Sequence, residues 1–138
     1  MMGCIFCDKI EERQILFETK HFKAVYDIDP IQFGHMLVMT KEHKLHLSDL
    51  SQSEVNELMN IQREVIKVME KTLEVDGVTV IMNNGGILDI GTHFHIHLIP
   101  RYHGDDFWKH QLVVEKPIDF HQLRAHLTKE FLYNNSSG

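Results

Sequence analysis

At 138 residues the chain has the length of one domain with room for a substantial core, and 43% apolar with 25% charged residues is ordinary globular composition. A formal charge of −6 without a long run of either sign argues against nucleic-acid or anionic-membrane binding driven by bulk charge, but leaves room for an anionic small molecule held by local donors. No apolar stretch is long enough to cross a bilayer and no secretory leader is visible, so the expectation is a soluble, cytoplasmic protein without a membrane partner.

Cys4-Ile5-Phe6-Cys7 contains the only two cysteines. Three readings stay open for them. A disulfide is disfavoured in a reducing compartment. A redox motif lacks the preceding strand of a thioredoxin-like context. A zinc half-site needs two further ligands, and two histidines would serve. A short helix is expected from Ile5 to about Glu12. Leu16–Glu18 and Phe22–Ile28 read as a hairpin turning at Thr19–His21, with Pro30 ending its second strand. Gly34–Met39 reads as a third strand, and Thr40–His43 leads out of it.

Ser51-Gln52-Ser53-Glu54 is a capping box, in which the serine hydroxyl and the glutamate carboxylate satisfy opposite backbone donors at a helix start. Val55, Leu58, Ile61, Val65, Val68 or Met69, and Leu73 then recur at helical spacing. This long helix is expected to stop near Asp76-Gly77, where glycine suits a left-handed terminal residue. Its apolar stripe is core and carries no chemistry. Val78–Met82 is a fourth strand, and Asn83-Asn84-Gly85-Gly86 a turn whose amides and N–H groups suit a ligand. Beyond Arg101 the chain is irregular until a second helix within Ile118–Tyr133, with apolar positions Phe120, Leu123, Leu127 and Phe131. A single domain over residues 1–133 and a flexible tail over 134–138 are expected.

The chemistry concentrates in His93-Phe94-His95-Ile96-His97-Leu98-Ile99. Its period of two makes it a strand with three imidazoles on one face and Phe94, Ile96 and Leu98 on the other. Same-face neighbours in a strand lie roughly 6.5–7 Å apart, so three rings can divide the tasks of metal ligand, nucleophile and hydrogen-bond partner around one small site.

That run closely resembles the signature of the histidine triad (HIT) family. Local motifs recur in the family's order: Cys-Ile-Phe-Cys at 4–7, Asp27-Ile28, Gly-His-x-Leu-Val at 34–38, Lys-x-His at 41–43, Asp76-Gly77 and Asn83-Asn84-Gly85. The resemblance implies an α+β fold, an antiparallel five-stranded sheet with one long helix and a short N-terminal helix. It also implies a nucleotide hydrolase or transferase with His95 as the nucleophile attacking an α-phosphorus. His97 would bond phosphate oxygens and His35 would orient the nucleophilic ring. Asp27 matches a ribose-binding acid, Ile28 a base contact and Asn83 a polar contact to phosphate or ribose. Cys4, Cys7, His43 and His93 match a structural zinc set with no position open to substrate. A homodimer is implied as well, with a small-molecule nucleotide as partner and no cofactor required for catalysis.

One segment departs from the pattern. Asp89-Ile90-Gly91-Thr92 stands where the family carries a glycine–glutamine run beside the phosphate. Thr92 and backbone N–H groups are the replacement donors, and Asp89 would repel a phosphate unless paired or turned away. Two other classes stay in view: a nucleotide-binding regulatory module with little catalysis, and a metal-dependent hydrolase using the histidine run as ligands. The second lacks a matching carboxylate cluster.

Overall fold

The computed structural model describes residues 3–136, which fall into two compact units dividing after Asp105. In the first, α1 (Ile5–Asp8) and a 3-10 turn (Glu12–Gln14) precede β1 (Ile15–Glu18), β2 (Phe22–Tyr26) and β3 (Met36–Thr40). A second 3-10 turn (Leu47–Asp49) leads into α2 (Gln52–Thr72), followed by β4 (Gly77–Met82), a third 3-10 turn (Gly85–Ile87) and β5 (His95–Arg101). The five strands form one antiparallel sheet in the order β1-β2-β3-β5-β4, the α+β architecture expected. The triad strand is thus interior to the sheet.

Register decides which side chains meet. Lys23, Met39 and His95 align across β2, β3 and β5, and Val25, Leu37, His97 and Ile81 form the next row. Just past these strand ends the Asp27 N–H donates to the His35 carbonyl at 2.9 Å, which adds a third row. Because strand side chains alternate, the other face collects Phe22, Ala24, Val38, Ile96 and Leu98. Leu58, Ile61, Val65 and Met69 of α2 close over that face. Each such residue removed from water contributes about 1.5–3 kcal/mol. The histidine face stays free of this helix and is walled instead by Phe6, which packs with Val25, Leu37 and Met39.

Several boundaries differ from the sequence reading. The first helix stops after Asp8 rather than near Glu12, because Glu11 and Gln14 cap each other and start a separate turn. The second strand ends at Tyr26 rather than Ile28, since Asp27 turns its carboxylate back to accept the Asp29 N–H at 2.9 Å. Ser51 and Glu54 do form the reciprocal box that opens α2. That helix ends at Thr72, with Leu73 already extended, and Gly77 opens β4 with no left-handed backbone. The turn is held instead by Asp76, whose N–H reaches the Arg101 carbonyl at 2.9 Å and whose carboxylate accepts the His103 N–H at 2.8 Å. His93 and Phe94 precede the regular ladder: the Phe94 N–H donates to the Lys44 carbonyl at 2.6 Å. The strand then continues through Pro100 to Arg101.

The second unit holds a 3-10 turn (Phe107–His110) and α3 (Phe120–Ser136). Asp119 caps this helix by accepting the Gln122 N–H at 3.0 Å. The helix continues through Asn134–Ser136, whereas residues 137 and 138 of the expected tail lie outside the described residues. No described helix is long and apolar enough to cross a membrane.

Candidate active site and metal centre

His95 is buried at the centre of the histidine face, and its Nδ1 lies 2.7 Å from the His93 carbonyl. A carbonyl only accepts, so Nδ1 carries the hydrogen and the Nε2 lone pair is left free. The His97 ring stands beside it, with centroids 4.7 Å apart. His97 Nδ1 is 2.9 Å from His35 Nε2, while His35 Nδ1 accepts the Ile31 N–H at 3.3 Å. A backbone amide thereby fixes the tautomer of His35, whose Nε2–H donates to His97 Nδ1. His97 must then hold its own hydrogen on Nε2, as a donor beside the nucleophile's lone pair.

All of these rings are neutral near pH 7. Burial pushes His97 down to about 4, and the neighbouring His95 and His35 rings push the same way. Burial also lowers His95 and His35, against the opposing pull of nearby carboxylates, Asp27 among them. A buried, neutral imidazole with a free lone pair and an adjacent N–H donor can attack an electrophile and stabilise the negative charge that develops on it.

The expected ligand-binding residues are placed unequally. Asp27 comes within 3.5 Å of His35 Nε2 and remains partly open to solvent. Ile28 is 89% exposed, an apolar surface with nothing packed on it. Asn83 follows the last residue of β4, and continuing the β4–β5 register by one step sets it beside His95. Thr92 is turned inward on its own loop: its hydroxyl donates to the Asp89 carbonyl at 2.7 Å, closing a turn that needs Gly91 at φ +82°. His35 reaches His95 through His97, with its hydrogen bond made to the latter.

Cys4, Cys7, His43 and His93 converge at the other end of the triad, with all four ligand atoms within 4.8 Å of one another. Cys4 Sγ is 3.2 Å and Cys7 Sγ 3.5 Å from His93 Nδ1, and Cys7 Sγ is 3.5 Å from His43 Nδ1. Tetrahedral zinc, at about 2.3 Å to sulfur and about 2.0 Å to nitrogen, sets ligand separations of roughly 3.3–3.8 Å. The set fits. His93 Nε2 donates to the Thr40 carbonyl at 2.5 Å, which leaves Nδ1 unprotonated and aimed at the cysteines. Burial lowers its pKa to about 4, so the ring is neutral, as a metal ligand must be.

Phe6 was not among the expected site residues. It sits between the two cysteines and meets the rings of His93 at 5.4 Å and His95 at 4.9 Å, edge-on to both. Its only signal in the sequence was its place inside the Cys-Ile-Phe-Cys motif.

Comparison with known proteins bears on the family and the fold. A family model described as the HIT domain matches residues 9–104. An uncharacterized HIT-like protein of Methanocaldococcus jannaschii is 33% identical over 106 residues, covering 74% of this chain and 81% of its own. The adenosine 5'-monophosphoramidase HNT1 of Saccharomyces cerevisiae is 37% identical over 104 residues, 72% of this chain and 63% of that protein. Among solved structures, a HIT family protein from Bacillus anthracis superposes with a TM-score of 0.71 at 25% identity, over 94% of this chain and 96% of that one.

Proposed function

The chain belongs to the HIT family, and from that premise we propose that it cleaves nucleotidyl substrates at the α-phosphate through a covalent nucleotidyl-His95 intermediate. The observation that carries this reading is the His95 tautomer, its Nδ1–H donated at 2.7 Å to the His93 carbonyl and its Nε2 lone pair free. Nε2 attacks the α-phosphorus, an Nε2–P bond forms, and the bond to the leaving group breaks. His97 Nε2–H donates to the phosphate oxygens as charge builds, or to the departing group. Water then attacks the phosphoramidate, which releases the nucleoside monophosphate and restores the neutral imidazole. Asp27 serves the ribose, Ile28 the base and Asn83 the phosphate or ribose. The hydroxyl of Thr92, already engaged with Asp89, supports the loop more than the ligand.

Adenosine phosphoramidates and diadenosine polyphosphates are the substrate classes proposed. The yeast relative's name, adenosine 5'-monophosphoramidase, favours the former. Zinc in the Cys4, Cys7, His43, His93 set would be structural, since four protein ligands leave no open position. Its role would be to tie the N-terminal turn to the triad strand. Association as a homodimer belongs to the same reading.

The deciding experiment follows nucleoside monophosphate release from adenosine phosphoramidate and from diadenosine tri- and tetraphosphate, with wild type and His95→Asn side by side. Release by wild type, with loss of at least 10³-fold in the variant and nucleotide binding retained, is the expected result. Equal turnover by the two proteins would remove His95 from the mechanism.

A further inference from the structure

We propose that the Cys4–Cys7 pair is an oxidation site for hydroperoxides, and that its oxidation releases the nucleophile's supporting wall and switches turnover off. This inference rests on the proposed roles of His95 and the metal set. Cys7 is exposed and Cys4 half-buried, so the pair is reachable by a small oxidant. Their sulfurs lie within 4.8 Å of each other and of both histidine ligand nitrogens.

The wall they anchor is a single turn. α1 spans four residues and carries Phe6 between the two cysteines. Besides the sulfur–imidazole contacts and the packing of Phe6 on Val25, Leu37 and Met39, two hydrogen bonds among the described residues tie this turn to its surroundings. Ile5 N–H donates to the Gly91 carbonyl at 2.6 Å, and Lys23 Nζ donates to the Phe6 carbonyl at 3.0 Å. Four residues cannot hold helical structure unaided, because nucleation costs more than one turn returns. The turn therefore depends on its anchors, and through Phe6 it sets the packing of His95 at 4.9 Å. Through Ile5 it also touches the loop ahead of the triad: a Cβ on Gly91 would lie 3.3 Å from the Ile5 side chain.

The chemistry balances. Two thiolates give two electrons to one hydroperoxide, the O–O bond breaks, and an S–S bond forms with two hydroxide equivalents released. With hydrogen peroxide, 2 RS⁻ + H₂O₂ → RSSR + 2 OH⁻. A disulfide holds its sulfurs about 2.05 Å apart and removes their negative charge. They can then no longer serve as thiolate ligands, so a bound metal ion is released and the contacts to His43 and His93 are lost. Phe6 is the positioning residue that passes this change to the nucleophile.

The test treats the zinc-loaded full chain with hydrogen peroxide and follows four quantities. The expected results are a mass loss of two hydrogens in the metal-free chain, release of one zinc per chain to a chromogenic chelator, a fall of kcat of about tenfold or more, and recovery on adding dithiothreitol and zinc. KM should move little, because Asp27 and Ile28 lie on the β2–β3 connection and, among the described residues, no hydrogen bond joins either to α1. Phe6→Leu should show the same disulfide and zinc release with a smaller fall in kcat, since the edge contact is already lost. Oxygen addition at methionine gives a mass gain that dithiothreitol does not reverse, which separates it from the proposed reaction. Absence of the disulfide overturns the modification site. Disulfide and zinc release with unchanged kcat overturns the link through Phe6. Reduced protein that turns over no nucleotide refutes the proposed function instead, while mass and zinc still report on the cysteines.

Discussion

At the scale of single residues, the site works by assigning each imidazole one hydrogen in one place. The His93 carbonyl sets His95, the Thr40 carbonyl sets His93, and the Ile31 amide sets His35 and hence His97. His35 should therefore matter through the hydrogen it gives away. Glutamine can present an N–H near the position of Nε2, whereas leucine fills the volume without a donor. His35→Leu is expected to lower kcat/KM roughly tenfold or more, and His35→Gln to recover part of that loss. His97→Ala removes the donor itself and should cost on the order of 10²-fold in kcat with nucleotide affinity largely retained. Steady-state kinetics and calorimetric binding on the three variants check this. Wild-type kcat/KM in His35→Leu would show that His35 acts by volume alone, and equal losses in His35→Leu and His35→Gln would show that an N–H near the position of Nε2 is not what His35 supplies.

At the scale of elements, the start of α2 joins fold stability to the loop behind the metal ligands. Glu54 is buried, accepts the Lys44 ammonium at 2.7 Å and the Ser51 N–H at 3.0 Å, and completes the box with the Ser51 hydroxyl at 3.1 Å. The Lys44 ammonium first, and the Ser51 N–H next, hold its carboxyl at about 2 rather than 4.5. A folded-state pKa below the unfolded one adds stability that is complete above the unfolded value and is lost as pH falls through the folded one. The contribution should fade between about pH 4.5 and pH 2. With solvent screening allowed for, it is worth on the order of 2 kcal/mol. Glu54→Gln should thus be less stable than wild type near pH 7 by about that amount, and the gap should close as the pH nears 2. Urea unfolding of both proteins across that range measures it. A gap that stays constant with pH would mean the carboxylate's charge contributes nothing. This cap was legible in the sequence because Ser-x-x-Glu before an apolar period admits one local solution. The length of α1 was not: nothing in Asp8-Lys9-Ile10-Glu11-Glu12 forbids a longer helix, but Glu11 and Gln14 cap each other through side chain and backbone and start a new turn first.

At the scale of the whole molecule, the period-two histidine run was legible as a strand because alternation specifies a face, whereas its place between β3 and β4, which brings His95 beside Met39 and His97 beside Leu37, was not, because alternation names no neighbour. The metal set came from resemblance to a family, since no local spacing links Cys4 with His93, 89 positions apart. Phe6, the Ile31 amide and the Thr40 carbonyl were not legible, because packing and backbone groups leave no motif. What the metal set joins are the N-terminal turn, the segment after β3 and the entry to β5, three pieces that otherwise meet through few hydrogen bonds. A ligand bound only by the folded state adds RT ln(1 + [L]/Kd), about 2.7 kcal/mol at a hundredfold excess over Kd. Exhaustive chelation should therefore lower the thermal midpoint by several degrees and speed amide exchange in residues 4–8, 41–44 and 91–93. The protection of Leu58–Met69 in α2 should persist, because that helix packs on the opposite face of the sheet. Re-addition of zinc should restore both quantities, and magnesium should not, since thiolate and imidazole donors suit zinc and hard cations take oxygen. Exchange that is unchanged in the three segments after complete metal removal would show that the sheet, and not the metal, holds the triad's entry in place.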